Sequence, residues 1–111
     1  MDRSEQMNVA ASGAMKASKL AHFGQIPPDA LIALAEHYGR SRGKYPHHNF
    51  RGGYEYSLSF DALNRHLWLW WSGEEIDPDS GSHHLSAVAW HALTLLTFVQ
   101  DGVGTDDRFT A

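Results

Sequence analysis

Residues Gly73-Glu74-Glu75-Ile76-Asp77-Pro78-Asp79-Ser80-Gly81 place four carboxylates within six positions. Negative charges packed this closely repel one another, and a hard divalent cation such as Mg²⁺ or Mn²⁺, which takes several oxygen ligands in a small volume, would relieve that repulsion. The competing reading is a solvated acidic turn in which Asp79 caps the helix that follows, and composition alone favours it. The histidines, eight in all, shift the balance. His66 lies about two helical turns before Glu74, and His84 and His91, seven residues apart, share one helix face. One histidine on a buried face is ordinarily a satisfied core residue. Two on one face beside a carboxylate cluster bring the reading as a site level with the reading as core. The candidate ligands are therefore Glu74, Asp77, His66 and His84, joined by Glu36. Glu36 sits near the edge of an apolar helix stripe, where a carboxylate is solvated unless it turns inward to a partner such as a metal.

Lys44, Asn49, Arg51 and Arg65 are the basic and amide groups nearest this cluster in sequence. Lysine and arginine suit phosphate oxygens, and asparagine can read a base edge or a sugar hydroxyl. Each of them singly is equally readable as ordinary surface polarity. The sequence contains no GxGxxG or GxxxxGK[ST] phosphate loop, no HExxH zinc motif and no GxSxG elbow.

Helices must position these groups. The first is predicted to start at Pro27-Pro28-Asp29, where proline suits the first turn and the acid complements the helix dipole. Leu31, Leu34, Ala35 and Tyr38 continue it, Gly39 and Gly43 weaken it and Pro46 stops it. The second starts with Ser57 or Ser59 as N-cap and carries Phe60, Leu63, Leu67 and Trp70 or Trp71 as its apolar stripe, ending at Gly73. The third is capped by Asp79 or Ser80 and runs to about Gln100. It is apolar nearly all round, from Leu85 to Val99, which predicts burial on several sides. Residues 1–19 read as a flexible N-terminal arm, residues 20–100 as the folded domain and residues 101–111 as a C-terminal tail. The expected fold class is all-α: a small bundle of about three main helices. A chain this short cannot surround its third helix, so self-association into a homodimer or higher homo-oligomer is expected to complete the bundle.

Composition sets outer limits. At 111 residues, with 42% hydrophobic content, the chain is sized for one domain with a core. The absence of cysteine excludes disulfides, a zinc–thiolate centre and a cysteine nucleophile. A net charge of −4 argues against stable binding to a nucleic-acid duplex. Mean hydropathy is −0.41 and no apolar run approaches the ~20 residues that span a bilayer. With no signal-peptide pattern either, the expectation is no membrane association and a cytoplasmic location.

Four segments in order carry a family resemblance: Ile26-Pro27-Pro28-x-Ala30-Leu31, Lys44-Tyr45-x-x-x-Asn49-Phe50, Arg65-His66-Leu67-x-x-Trp70, and Gly73-Glu74-x-x-Asp77-x-x-Ser80-Gly81-x-x-His84-Leu85. Over about residues 16–100 the chain resembles the dATP/dGTP diphosphohydrolase N-terminal domain family, which is widespread in bacteriophages. The resemblance implies an all-α fold akin to the MazG-like nucleotide pyrophosphohydrolases, whose acids on neighbouring helices hold Mg²⁺ or Mn²⁺, one pair spaced E-x-x-D as in Glu74 and Asp77. It implies hydrolysis of a purine deoxynucleoside triphosphate, dATP or dGTP, to the monophosphate and pyrophosphate, in the cytoplasm of the infected host if the gene is a phage's. On that reading the metal ligands are Glu74, Asp77, Glu36, His66 and His84. Glu74 or Glu36 accepts a proton from water, Asp77 completes the catalytic acids, and Lys44, Asn49 and Arg65 bind substrate. The sequence departs from the family pattern at Pro46, where glycine is usual, at Phe50 in place of tryptophan, and at Ser82-His83 before His84. Glu36 also lacks an acid three residues away. A nucleotide-binding protein without turnover, a sponge for nucleotides, is the alternative those departures keep open.

Overall fold

Alternation sets the first element. In Glu5–Val9 and Met15–Lys19, Met7, Val9, Met15 and Ala17 fall on one side and Gln6, Asn8, Lys16 and Ser18 on the other. The computed structural model describes residues 5–46 and 48–110, and it pairs these segments as antiparallel strands β1 and β2, with Met7 opposite Ala17 and Val9 opposite Met15. The chain reverses over residues 10–14, where Gly13 takes φ +91°. The all-α expectation is thereby corrected: a two-stranded sheet precedes the helices, in the stretch read from sequence as a flexible arm. Its two-residue period is short and its residues are mostly small and polar, so a search for helical spacing passes over it. Residues 1–4 of that arm and Ala111 of the tail lie outside the described residues.

Three helices follow: α1 (Pro28–Ser41), α2 (Tyr56–Trp71) and α3 (His84–Asp101), with short 3₁₀ turns at Phe23–Gln25 and Asn49–Gly52. Helix α1 starts as its sequence predicts, with Pro28 at the first position, Asp29 in the first turn and Arg40 in the last. The start of α2 is held differently. Glu55 is the cap, and the chain beyond α3 returns to it: the Tyr56 amide donates to the Thr105 carbonyl, and the Asp107 carboxylate accepts from the Ser57 amide at 2.9 Å. An acid supplied from far along the sequence thus does what Ser57 or Ser59 was expected to do at this helix N-terminus. The crossing is tight enough that Gly104, at φ +78°, has room for no side chain: a Cβ there would lie 2.7 Å from the Tyr54 carbonyl oxygen.

Helix α3 starts at His84, later than Asp79 or Ser80. The intervening residues form a closed turn. The Asp77 carboxylate accepts from the Asp79 amide and the Ser80 hydroxyl, and Ile76 bridges His83. Local side-chain bonds of this kind compete with helix formation. His83 is the cap, its Nδ1 accepting from the Leu85 amide, and Gly102 ends the helix at φ +67°.

Helix α2 packs chiefly on α3, and α1 on the other flank of α3. The interior they make is small. Ala87 and Phe98 are the buried apolar side chains among the described residues, and they share the interior with Ser59, Ser82, His84, Ser86 and Thr94. Tyr54 meets the Phe98 ring edge-on and Tyr56 stacks on it. Burial of α3 on several sides is not what a single chain provides: Leu85, Leu93, Leu96 and Val99 are exposed.

Candidate metal and nucleotide site

The side chains that α2 and α3 turn toward each other are largely imidazoles and hydroxyls. His66 of α2 and His84 of α3 face each other with their Nδ1 atoms 2.9 Å apart. His84 is fully buried, and its Nε2 lies 2.7 Å from the Glu74 carboxylate. With the Nε2 proton donated to Glu74, Nδ1 of His84 is left with its lone pair directed at His66. Asp77 comes to the same point from the turn before α3, so that ligand atoms of His66, Asp77 and His84 all lie within 4.8 Å of one another.

Around this trio lies a wider polar shell. His91, two turns beyond His84, stacks near His66 with ring centroids 6.1 Å apart, and its Nδ1 is 2.9 Å from the buried Ser59 hydroxyl, which in turn bonds the Tyr54 hydroxyl. From α1, His37 Nδ1 lies 2.7 Å from Ser82 Oγ, and Arg40 donates to the same oxygen at 3.0 Å. Ser82 is buried, and its carbonyl accepts from the Asp77 amide. Helix α1 therefore grips the loop that carries Asp77. Two polar atoms on α3, Trp90 Nε1 and Thr94 Oγ1, are buried with no hydrogen-bond partner among the described residues.

Burial favours the neutral forms of His37, His66 and His91. Burial, reinforced by His66, His37 and Arg65, pushes His91 down to about 4. Burial likewise lowers His37, aided by His66 and Arg40 and opposed by Asp77. His66 is lowered by burial, with Asp77 opposing and His84 and Arg65 adding to the shift. Partial burial raises Asp77, but the Asp79 amide, the Ser80 hydroxyl and the two histidines outweigh it and hold the carboxyl below its ordinary value. Neutral imidazoles beside an ionised carboxylate are the protonation states that bind a cation.

The donor set can be tested against an ion. Two ligands on adjacent octahedral positions, each about 2.1 Å from a metal, stand ~3.0 Å apart, and the His66 and His84 Nδ1 atoms already have that separation. The hydrogen bond from the far nitrogen of His84 to a carboxylate is the usual support of a metal-bound histidine. Two imidazoles and one carboxylate fit Mn²⁺ and its transition-metal neighbours well, and fit Mg²⁺, which prefers oxygen throughout, less well.

Of the residues singled out from sequence, the structure brings His66, Asp77 and His84 together and sets Glu74 behind His84. It does not bring Glu36 to them: Glu36 is exposed on α1 and pairs with Arg40 at 3.7 Å. Lys44 lies over the Tyr45 ring, Asn49 opens the second 3₁₀ turn, and Arg65 is exposed next to His66. Among the described residues no hydrogen bond or ion pair joins any of these three to the trio. Sequence reasoning gave no role to His37, Arg40 or Ser82, and it noticed His91 without assigning it. His91 had a signal in its seven-residue offset from His84. The Ser82 contacts span more than forty residues, and no local spacing reports them.

Among known families, a family described as dATP/dGTP diphosphohydrolase, N-terminal, matches residues 10–108. No curated protein and no solved structure matches the chain.

Proposed function

The chain belongs to the dATP/dGTP diphosphohydrolase N-terminal family, and from that membership together with the converging ligand atoms of His66, Asp77 and His84 we propose that it hydrolyses purine deoxynucleoside triphosphates in a reaction that depends on a divalent cation. The convergence of those three side chains is the observation that carries the reading. The reaction is dATP or dGTP plus water giving the deoxynucleoside monophosphate, pyrophosphate and a proton: a water oxygen bonds to the α-phosphorus and the bond from that phosphorus to the pyrophosphate oxygen breaks.

His66, Asp77 and His84 would hold the ion, Mn²⁺ in preference to Mg²⁺. When bound, the cation supplies charge neutralisation for the triphosphate and Lewis acidity toward phosphate oxygens and water. The chain's own residues do the rest. Glu74 fixes the tautomer of His84 through Oε1, and the proton released by the attacking water leaves to solvent. Ser82, held by His37 and Arg40, fixes the Asp77 loop against α1. Lys44 and Arg65 bind phosphate oxygens, and Asn49 reads the base or sugar. Self-association into a homodimer belongs to the same reading, supported by the apolar residues that α2 and α3 leave exposed.

The test is pyrophosphate release from a panel of deoxynucleoside and ribonucleoside triphosphates with Mn²⁺ or Mg²⁺, with and without EDTA. Release from dATP or dGTP that EDTA abolishes is expected. No release from any substrate, with nucleotides still raising the melting temperature, would overturn hydrolysis in favour of nucleotide binding alone.

A further inference from the structure

The β1–β2 hairpin packs on no helix of its own chain among the described residues. Its register makes it two-faced: Met7, Val9, Met15 and Ala17 form an apolar patch on one face, bordered at the open end by the Glu5–Lys19 ion pair, and Gln6, Asn8, Lys16 and Ser18 form a polar face. Met7, Val9 and Met15 are each more than 60% exposed. An isolated two-stranded hairpin is marginal in water, and one with a bare apolar face needs something to cover it. The connection to α1 is short and stiffened by the 3₁₀ turn at Phe23–Gln25 and by Pro27-Pro28, which sets the hairpin apart from the α2–α3 pair.

The helices carry a matching vacancy. Tyr56, Phe60, Leu95, Leu96, Val99 and Phe109 give a groove of about 600 Å³ a mainly apolar wall, with Ser57, Asp107 and Arg108 also lining it. Phe60, Leu96, Val99 and Phe109 are all at least half exposed. One chain thus has an uncovered apolar ridge and an uncovered apolar groove that do not meet each other.

The dimensions show how much surface is left over. The chain exposes 8583 Å², whereas a compact monomer of its mass would expose about 6,100 Å². Its radius of gyration is 18.1 Å, against about 13 Å for a compact domain of this length. The excess of roughly 2,500 Å² is about three times the ~800 Å² that each partner buries in a stable complex of standard size.

We propose that the hairpin is exchanged between two copies of this chain, the Met7–Val9–Met15 face of each seating in the α2–α3 groove of the other. The inference rests on the self-association proposed above and assigns the surfaces that make it. Each copy gives a ridge and receives one, so a two-fold arrangement closes on itself and leaves neither surface bare. Methionine suits the ridge, because its unbranched side chain adapts to an irregular groove.

The absence of native cysteine makes the test direct. Met15→Cys and Leu96→Cys are both exposed substitutions that leave the interior of the fold alone. Under mild oxidation the double variant is expected to run as a covalent dimer on a non-reducing gel, while each single variant runs as a monomer. Light scattering on the unmodified protein is expected to give twice the chain mass. A covalent dimer from Met15→Cys alone would mean that the hairpins meet each other, and a disulfide within one chain would mean that the hairpin folds back on its own groove. Either result overturns the exchange. A dimeric mass with no disulfide between positions 15 and 96 also overturns it while leaving self-association standing, and a monomeric mass removes both.

Discussion

Between α2 and α3 the buried side chains include Ser59, His84, Ser86 and Thr94, with Ala87 and Phe98 as their apolar company; on the outward sides of the same helices Phe60, Trp68, Leu93, Leu96 and Val99 stand exposed. The usual distribution of polarity is inverted. A buried imidazole or hydroxyl costs free energy unless it is bonded; Ser59 bonds Tyr54 and His91, and His84 bonds His66 and Glu74, whereas Thr94 Oγ1 has no partner among the described residues. An exposed aliphatic or aromatic residue forgoes the stabilisation it would gain by burial, roughly 1.5–3 kcal/mol for a large one. The inner face therefore contributes little apolar burial, and the stability it gives up is recoverable on the outside. That couples the two regions: a helix pair with a polar seam gains from burying its back against something else.

The largest expected effect tests the inner face as a site. His66→Gln and Asp77→Asn each keep a polar side chain of similar size, so the fold survives. Each is expected to lower pyrophosphate release by about 10²–10³-fold, the range for removing one group that acts on the transition state. Unchanged turnover in either variant would return His66 and Asp77 to the role of polar filling. Next is the contrast between adjacent residues on opposite sides of α3. Phe98 is fully buried and Val99 is 60% exposed. Phe98→Ala is expected to cost about 3–5 kcal/mol in denaturant unfolding. Val99→Ala, in the separated monomer at high dilution, is expected to cost less than ~0.5 kcal/mol. Equal losses would mean that the outward face is already covered within one chain. A smaller effect sharpens the role of Glu74: Glu74→Gln is expected to weaken Mn²⁺ binding about 10–100-fold, as loss of an orienting carboxylate does. Calorimetric titration of Mn²⁺ into the two proteins measures this, and loss of all binding would make Glu74 itself a ligand.

The inner face was more legible in the sequence than the outer one. The acid-rich turn and the offsets of His66, His84 and His91 are local signals, and they pointed to the part of the chain where the structure gathers the trio. Glu36 was misleading because its place at a stripe edge gives no sign of Arg40, one turn on, which takes its charge. The three helices were legible from period and proline, but their starts were not. Asp107 reaches α2 from the far end of the chain, and the Asp77 turn spends Asp79 and Ser80 before α3 begins. The hairpin was missed because its pattern is short and packs on no helix, so nothing in the amphipathic helices announces it. An apolar stripe in sequence says that a face will be covered, and it is silent on whether the cover comes from the same chain. Phe60 lies on the apolar stripe of α2, and it is 58% exposed.

The smallest predicted effect concerns the pH dependence that the inverted interior imposes. His91 is held at about 4 by burial, and by His66, His37 and Arg65, from an ordinary 6.5. In the unfolded chain it takes up its proton as pH falls through about 6.5, whereas in the folded chain it resists until about 4. Between those limits the unfolded state binds more protons, so stability is full above the upper limit and falls as pH drops toward the lower one. His37 and His66 are lowered in the same sense and add to the slope. The melting temperature, followed in EDTA so that cation binding contributes nothing, is therefore expected to fall from pH 7 to pH 5. His91→Gln removes one titrating group and is expected to flatten that fall without abolishing it, because His37 and His66 remain. An outward variant such as Leu93→Gln is expected to leave the slope as it was, since no titrating group of the interior is lost. Parallel slopes for the wild type and His91→Gln would mean that His91 meets solvent in the folded protein, and the inner face would then be more open than its Ser59 and His66 contacts describe.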